Sequence, residues 1–448
     1  MLAGWVLDST EWNMNQRELL QDLFQSALKA VGGRPAVRYA LEREPLAAHL
    51  HPAGSPGSPG SPSSTSSTVS SASPGPVAVL ALGKAADSML LGAMDVLGEQ
   101  LHSALLISKH GHISGTCRQD GRITCLEASH PVPDERSLEA GRQMLAFVSA
   151  LPAGQPLLVL ISGGASSLVE VLPEGYGAQH LAELNQWLLG RHLDIARINA
   201  VRRAVSCIKG GRLARYLGRR PTRLLLISDV PGDDPAVIGS GLLVPSQPGT
   251  ALPEGLPDWV RSAADKVVTA PAADDPLFAS ISPRIIASNA QARAAVARRA
   301  AFHGVALVDH GEPLAGDALD AAEAIARSLI NGPPGLQLWG GETTVALPHR
   351  PGRGGRAQAL ALGAAMGLEG RPGLALLAAG TDGTDGPGED AGALVDGNTC
   401  YRGRQAGLDP DTCLEQADSG RFLDASGDLV RTGPTGTNVM DLVIGLKA

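Results

Sequence analysis

From Val77 onward the apolar positions come in short unbroken blocks, each closed by glycine or a polar turn and followed by a helical pattern: VAVLALG, SALLISKHG, LLVLISGG and RLLLISDVPG. Blocks that do not alternate suit strands buried on both faces, and helical stretches between them suit crossovers, so the pattern predicts a parallel sheet covered by helices. Ligands in such folds sit beyond the carboxyl ends of the strands. A second α/β pattern starts near Pro283 with RIIASN, the helix AQARAAVARRAAFHG, VALVDH, the helix LDAAEAIARSLI and LQLWGGETTVAL. It continues through LALLAAGTDGTDG to a closing TGPTGTNVMDLVIGL. Upstream, Leu19, Leu20, Leu23, Phe24, Ala27, Leu28 and Val31 share one helical face behind Asn15 as cap, which predicts an amphipathic docking helix. Residues 53–76, rich in Ser, Pro and Gly, hold almost no apolar side chain to offset ordering entropy and read as a disordered insertion.

Composition narrows the reading. The 448 residues suffice for two domains, since single cores stop growing at roughly 250–300 residues. A net charge of −8 and an aromatic content of 3% remove the basic footprint and stacking platform of a nucleic-acid binder, which favours a small-molecule partner. No apolar run reaches the ~18 residues of a membrane span, and MLAGWVLDSTEW lacks the layout of a secretory signal, so no membrane association and a cytoplasmic location are expected. The five cysteines are scattered without C-x-x-C or zinc spacing, as in a reduced compartment.

Chemistry concentrates at the predicted strand ends. Lys84 follows Gly83 at a strand-to-helix turn, where unpaired N–H groups, the helix dipole and an ammonium together make an anion site. In ISGGASS, Gly163 and Gly164 permit close backbone approach and Ser162, Ser166 and Ser167 can donate hydrogen bonds, although small residues at such a turn also serve packing. Asp229 ends another strand, where a carboxylate binds a hard cation or takes a hydroxyl proton, whereas Asp233 and Asp234 suit a turn. Arg202, Arg203, Lys209 and Arg212 form a basic run that faces either an anion or solvent. Asp382 and Asp385 sit among glycines in a loop suited to a cation or a ribose. His110, His112 and His130 lack the spacing of a metal site and read as structural. Neither G-x-x-x-x-G-K-[ST] nor a strand-linked G-x-G-x-x-G is present.

Taken in order, ALGKAA, HPVPDE, ISGGASS, INAVRR with IKGGRLA, ISDVPGDDP, GGETTV with GRGGR, AAGTDGTDGP and TGPTGTNVMDL resemble type II glycerate kinases, the glycerate 2-kinases with a C-terminal MOFRL domain. The resemblance runs along the whole chain except the Ser/Pro insertion. It implies an α/β enzyme of two domains: a Rossmann-like parallel sheet covered by helices over 1–281, and an α/β domain over 282–448 containing the MOFRL region at about 336–446. The active site is expected in the cleft between them. The implied activity is phosphoryl transfer from ATP, with Mg²⁺, to the 2-hydroxyl of D-glycerate or a related hydroxy acid, by a monomer or a homodimer.

On the same resemblance, Lys84, Asp229 and Arg356 are catalytic, and Ser162, Gly163, Gly164, Ser166, Lys209 and Arg212 bind substrate or phosphate. Gly354, Gly355, Thr381, Thr437 and Asn438 bind the nucleotide, and Asp229, Asp382 and Asp385 hold the metal. The chain departs from the family's pattern where Ala357 and Ala359 replace Asn and Glu after GRGGR, where Arg203 and Ala204 replace Lys and His, where SGLL replaces SGPT, and where Gly420 replaces Tyr. These changes predict altered substrate preference, weakened catalysis or compensation elsewhere. Two other readings stand beside the kinase: a hydroxypyruvate reductase, against which the missing dinucleotide fingerprint counts, and a catalytically impaired glycerate- or nucleotide-binding family member.

Overall fold

The computed structural model describes residues 15–46, 75–191, 195–246 and 251–448, so the stretch 53–74 of the expected insertion lies outside the described residues. The chain divides into two units. Unit A comprises Val31–Ser288 and Gly436–Val439; unit B comprises the first helix as far as Ala30, Asn289–Thr435 and Met440–Ala448.

Unit A is built on six parallel strands: β1 (Val77–Leu82), β2 (Leu101–Lys109), β3 (Ile123–Ala128), β4 (Leu157–Ile161), β5 (Thr222–Ile227) and β6 (Ile281–Ala287). Their order across the sheet is β3-β2-β1-β4-β5-β6. This is the doubly wound order, in which the chain runs outward from β1 in one direction and returns to extend the sheet in the other. Every residue of β1, β4 and β5 is buried, which is why β1, β4 and the Leu224–Ile227 part of β5 are continuous apolar runs rather than alternating ones. Between β1 and β4 the direction of winding reverses, and the crevice beyond their carboxyl ends is where such sheets take ligands.

Unit B carries the second sheet, with β7 (Leu307–Asp309), β8 (Gly335–Gly341), β9 (Leu374–Gly380), β10 (Gly392–Asp396), β11 (Leu429–Val430) and β12 (Asp441–Lys447) in the order β11-β10-β9-β12-β8-β7. Only β7 and β8 are parallel; the other neighbours are antiparallel. Helices Ala318–Asn331 and Arg356–Leu368 pack closely because small residues face each other. A Cβ on Gly363 would lie 3.0 Å from that of Ala322, and one on Gly367 2.9 Å from that of Ala326.

Two expectations about organisation change. The boundary at 281/282 assigned RIIASN to the second domain, but Ile281–Ala287 pairs with β5 and completes the first sheet, so the chain changes unit after Ser288. The helix Gln16–Val31 was grouped with the first domain, but it is tied to unit B. Arg17 pairs with Asp396 and Asp428, and Asp22 pairs with Arg299 and His303. Its apolar face is buried as expected, and the Asn15 side chain accepts the Arg17 N–H at 3.0 Å as its cap. No helix among the described residues is long and apolar enough to cross a membrane.

Candidate active site

At the switch point of unit A, the turns after β1 and β4 lock onto each other. The Lys84 N–H donates to the Gly163 carbonyl at 2.9 Å, and the Ala85 N–H donates to the Ser162 hydroxyl at 3.0 Å. Gly83, at φ 121°, permits this approach: a Cβ there would lie 2.3 Å from Ser162 Oγ. Ser162 is fully buried and fastens the turn by accepting this N–H. Ser167 donates to the Gly164 carbonyl at 3.0 Å, and Ser166 pairs with Ser240 at 2.8 Å.

Four side chains converge over the Gly163-Gly164 pair. A Cβ on Gly163 would lie 1.8 Å from Asp229 Oδ2 and 2.2 Å from Asn438 Nδ2. One on Gly164 would lie 2.9 Å from the His130 ring and 3.2 Å from Lys84 Cγ. The Asn438 amide donates to Asp229 Oδ2 at 3.0 Å. The sequence expectation thus brings Lys84 and Asp229 to one glycine platform, while His130 joins them as a residue that sequence reasoning treated as structural. Asn438, expected on the nucleotide, holds the Asp229 carboxylate through its amide. The expectation of turn roles for Asp233 and Asp234 matches the local geometry, with Asp234 accepting the Ala236 N–H at 2.8 Å.

Lys209 and Arg212 do not join this platform as anion ligands. Lys209 is buried and forms an ion pair with Glu170, which also accepts the Ser206 hydroxyl at 2.6 Å. Burial pushes the Lys209 ammonium pKa down, and Glu170 opposes that shift. Arg212 donates to the carbonyls of Val268, Arg203 and Lys209 at 2.7, 3.1 and 2.9 Å. Both cations hold their own loop together, because a charge withdrawn from water needs a partner close by.

In unit B, Arg356 opens the helix Arg356–Leu368. Its guanidinium donates to Asp441 through Nε at 2.7 Å and Nη2 at 3.1 Å, and Nη1 pairs with Glu342. Burial works against the guanidinium charge, but Asp441 and Glu342 outweigh it and keep Arg356 firmly cationic. Arg353 is occupied by Asp390 and Asp424.

The other expected residues have protein partners of their own. Asp385 Oδ1 accepts the Ala357 N–H at 3.1 Å and Oδ2 the Gln358 N–H at 2.8 Å, capping the helix from another loop. Burial pushes the Asp385 carboxyl up to about 7, with the Asp441 charge adding to it and the two N–H groups opposing it. Asp382 closes its own turn on the Thr384 N–H at 3.0 Å and hydroxyl at 3.2 Å. Among the described residues no three His, Cys, Asp or Glu side chains gather as a metal site. Thr381 and Thr437 donate their hydroxyls to the carbonyls of Met440 and Val31, each at 2.6 Å. Gly354 and Gly355 make room for neighbouring protein: a Cβ would lie 2.4 Å from Ser419 Oγ at the first and 2.3 Å from Asp385 Oδ1 at the second.

The departures from the expected motif also have surroundings. Ala357 and Ala359 are buried, Ala359 within the apolar core of unit B. A Cβ on Gly420 would lie 2.5 Å from Gln358 Oε1, so no larger residue fits there without rearrangement.

Comparison with known proteins decides the family. Residues 19–252 match the family described as a domain of unknown function, DUF4147, and residues 335–441 match the MOFRL family. The D-glycerate 2-kinase of Thermotoga maritima is 36% identical over 386 residues, covering 83% of this chain and 90% of its own. The chain belongs to the MOFRL-containing glycerate 2-kinase family. A crystal structure of a glycerate kinase from Thermotoga maritima superposes with a TM-score of 0.78 at 31% identity, over 96% of this chain and 99% of that one. A family relative from Agrobacterium vitis, 37% identical over 82% of this chain and 98% of its own, carries a provisional hydroxypyruvate reductase name.

Sequence reasoning missed Asp441 and Glu342, the carboxylates that hold the Arg356 guanidinium. Asp441 had one available signal: a lone carboxylate opening an otherwise apolar strand, LVIGL, needs a cation to accompany it inside.

Proposed function

We propose that this family member transfers the γ-phosphoryl group of ATP to the 2-hydroxyl of D-glycerate. The observation that carries the reading is the glycine platform at the switch point, where Lys84 and Asp229 meet over Gly163-Gly164 beyond the ends of β1, β4 and β5. Phosphoryl transfer asks the protein for positioning and charge stabilisation rather than covalent chemistry. In this scheme Asp229 takes the proton of the 2-hydroxyl as its oxygen attacks the γ-phosphorus, the bond to the bridging oxygen breaks, and ADP leaves. Asn438 holds the Asp229 carboxylate in orientation through its amide. Lys84 supplies positive charge at this platform, and Arg356 is assigned to the transferred phosphate on the family resemblance. Asp382 and Asp385 accept backbone N–H groups, and no step is assigned to Mg²⁺. Five free cysteines support a reducing, cytoplasmic setting.

The test is a coupled assay. ATP-dependent formation of 2-phosphoglycerate, lost in Lys84→Ala and Asp229→Asn, supports the reading. Oxidation of NAD(P)H with hydroxypyruvate and no phosphoryl transfer would support the reductase instead, and ligand binding without turnover would mark an impaired member.

A further inference from the structure

Arg356 is held from two directions. Its guanidinium lies on Asp441, while its backbone starts a helix whose first turn is gripped by Asp385. The grip has three hydrogen bonds: the Ala357 and Gln358 N–H groups each donate to a separate carboxylate oxygen, and the Gln358 side-chain amide donates to the Asp385 carbonyl at 3.1 Å. The two loops interlock around it. A Cβ on Gly355 would lie 2.3 Å from Asp385 Oδ1, and one on Gly386 would lie 2.2 Å from the Gly354 carbonyl oxygen. A carboxylate that takes two N–H groups on separate oxygens fixes both the depth and the rotation of the helix start, and so the origin of the Arg356 side chain.

Resting on the reading that Arg356 acts on the transferred phosphate, we propose that Asp385 is a positioning residue for Arg356. Asp385 locks the main chain from which Arg356 projects, while Asp441 locks the guanidinium. The neighbouring Asp382 differs in that it accepts the N–H and hydroxyl of Thr384 within its own turn.

Asp385→Asn and Asp385→Ala, each in the wild-type and Arg356→Lys backgrounds, test this through kcat, KM for glycerate and ATP, the Mg²⁺ concentration for half-maximal rate, and thermal melting. Asparagine keeps the shape and one acceptor, so this variant guards against a failure to fold. A displacement of about 1 Å at a catalytic group costs on the order of 100-fold in rate, so kcat falls by about 10-fold in Asp385→Asn and about 100-fold in Asp385→Ala. KM values stay within about twofold, the Mg²⁺ requirement is unchanged, and most of the loss disappears in the Arg356→Lys background because both changes strike one function. A wild-type kcat in Asp385→Ala, the same fold-loss in both backgrounds, or a raised Mg²⁺ requirement overturns the proposal. An Arg356→Lys enzyme with wild-type kcat overturns instead the assignment of Arg356 on which the proposal stands.

Discussion

One methyl group at residue 163 is enough to separate the architecture of the platform from its chemistry. In Gly163→Ala the new Cβ would sit 1.8 Å from Asp229 Oδ2, whereas real Cβ contacts essentially never fall under 3.0 Å, so the carboxylate must retreat by about 1.2 Å. Asn438, whose amide nitrogen would lie 2.2 Å away, must move with it. Gly163 does not have a positive φ, so its backbone accepts alanine and the disturbance falls on these two side chains. A shift of that size at the proton acceptor predicts a loss of about 100-fold in kcat with little loss of stability. Initial rates of 2-phosphoglycerate formation at saturating ATP and glycerate, together with a thermal melt, measure both. The neighbouring Gly164→Ala behaves differently. At φ 84° the backbone itself resists a side chain, so it loses roughly 1–2 kcal/mol of stability as well. A kcat within about threefold of wild type in Gly163→Ala would falsify the placement of Asp229 at the reacting hydroxyl.

Other consequences are equally open to measurement. Lys209→Met strands Glu170 without its cation inside unit A and is expected to cost about 3–5 kcal/mol by urea denaturation, with unchanged KM, while Lys209→Met with Glu170→Leu recovers most of the loss. A raised KM at undiminished stability would return Lys209 to the binding site. Asp385, with its carboxyl pushed from 3.8 up to about 7 mainly by burial, holds its proton more tightly in the folded state. Its contribution to stability therefore falls as pH rises from about 4 to about 7, by an amount on the order of a few kcal/mol, and Asp385→Asn should flatten the pH dependence of the urea midpoint in that window. An unchanged slope would show that the group does not titrate there. Ala359→Glu places a carboxylate in the apolar core of unit B, so the melting temperature should drop by several degrees instead of the rate rising.

The parts of the fold legible in the sequence are those whose burial is uniform. β1, β4 and β5 are apolar at nearly every position because both faces are covered, and local composition suffices to find them. β3, with a mixed burial pattern, and the two-residue β11 escaped notice because little in their composition separates them from loops. The unit to which β6 belongs was misread because sheet membership depends on a partner, here β5, that lies far away in sequence. Lys84 and Asp229 were legible through their place at strand ends. Lys209 was not, because its partner Glu170 lies 39 residues upstream and the basic run around it looked like a surface. The reach of Asp385 to a helix start was not legible, because that contact joins a glycine-flanked carboxylate to a segment 27 residues away.

The central place of β12 in the second sheet bears on synthesis. The strands of unit A are complete once residue 287 has emerged, so its sheet can close while the rest of the chain is still being made. Unit B cannot do the same, because β12 lies between β9 and β8, and the sheet stays in two halves until residues 441–447 arrive. Asn438, the partner of Asp229, is delivered with the same late segment. A ribosome stalled before that point would hold a folded first sheet whose carboxylate lacks its orienting amide, so the proposed activity is withheld from nascent chains and appears only when translation has passed Lys447.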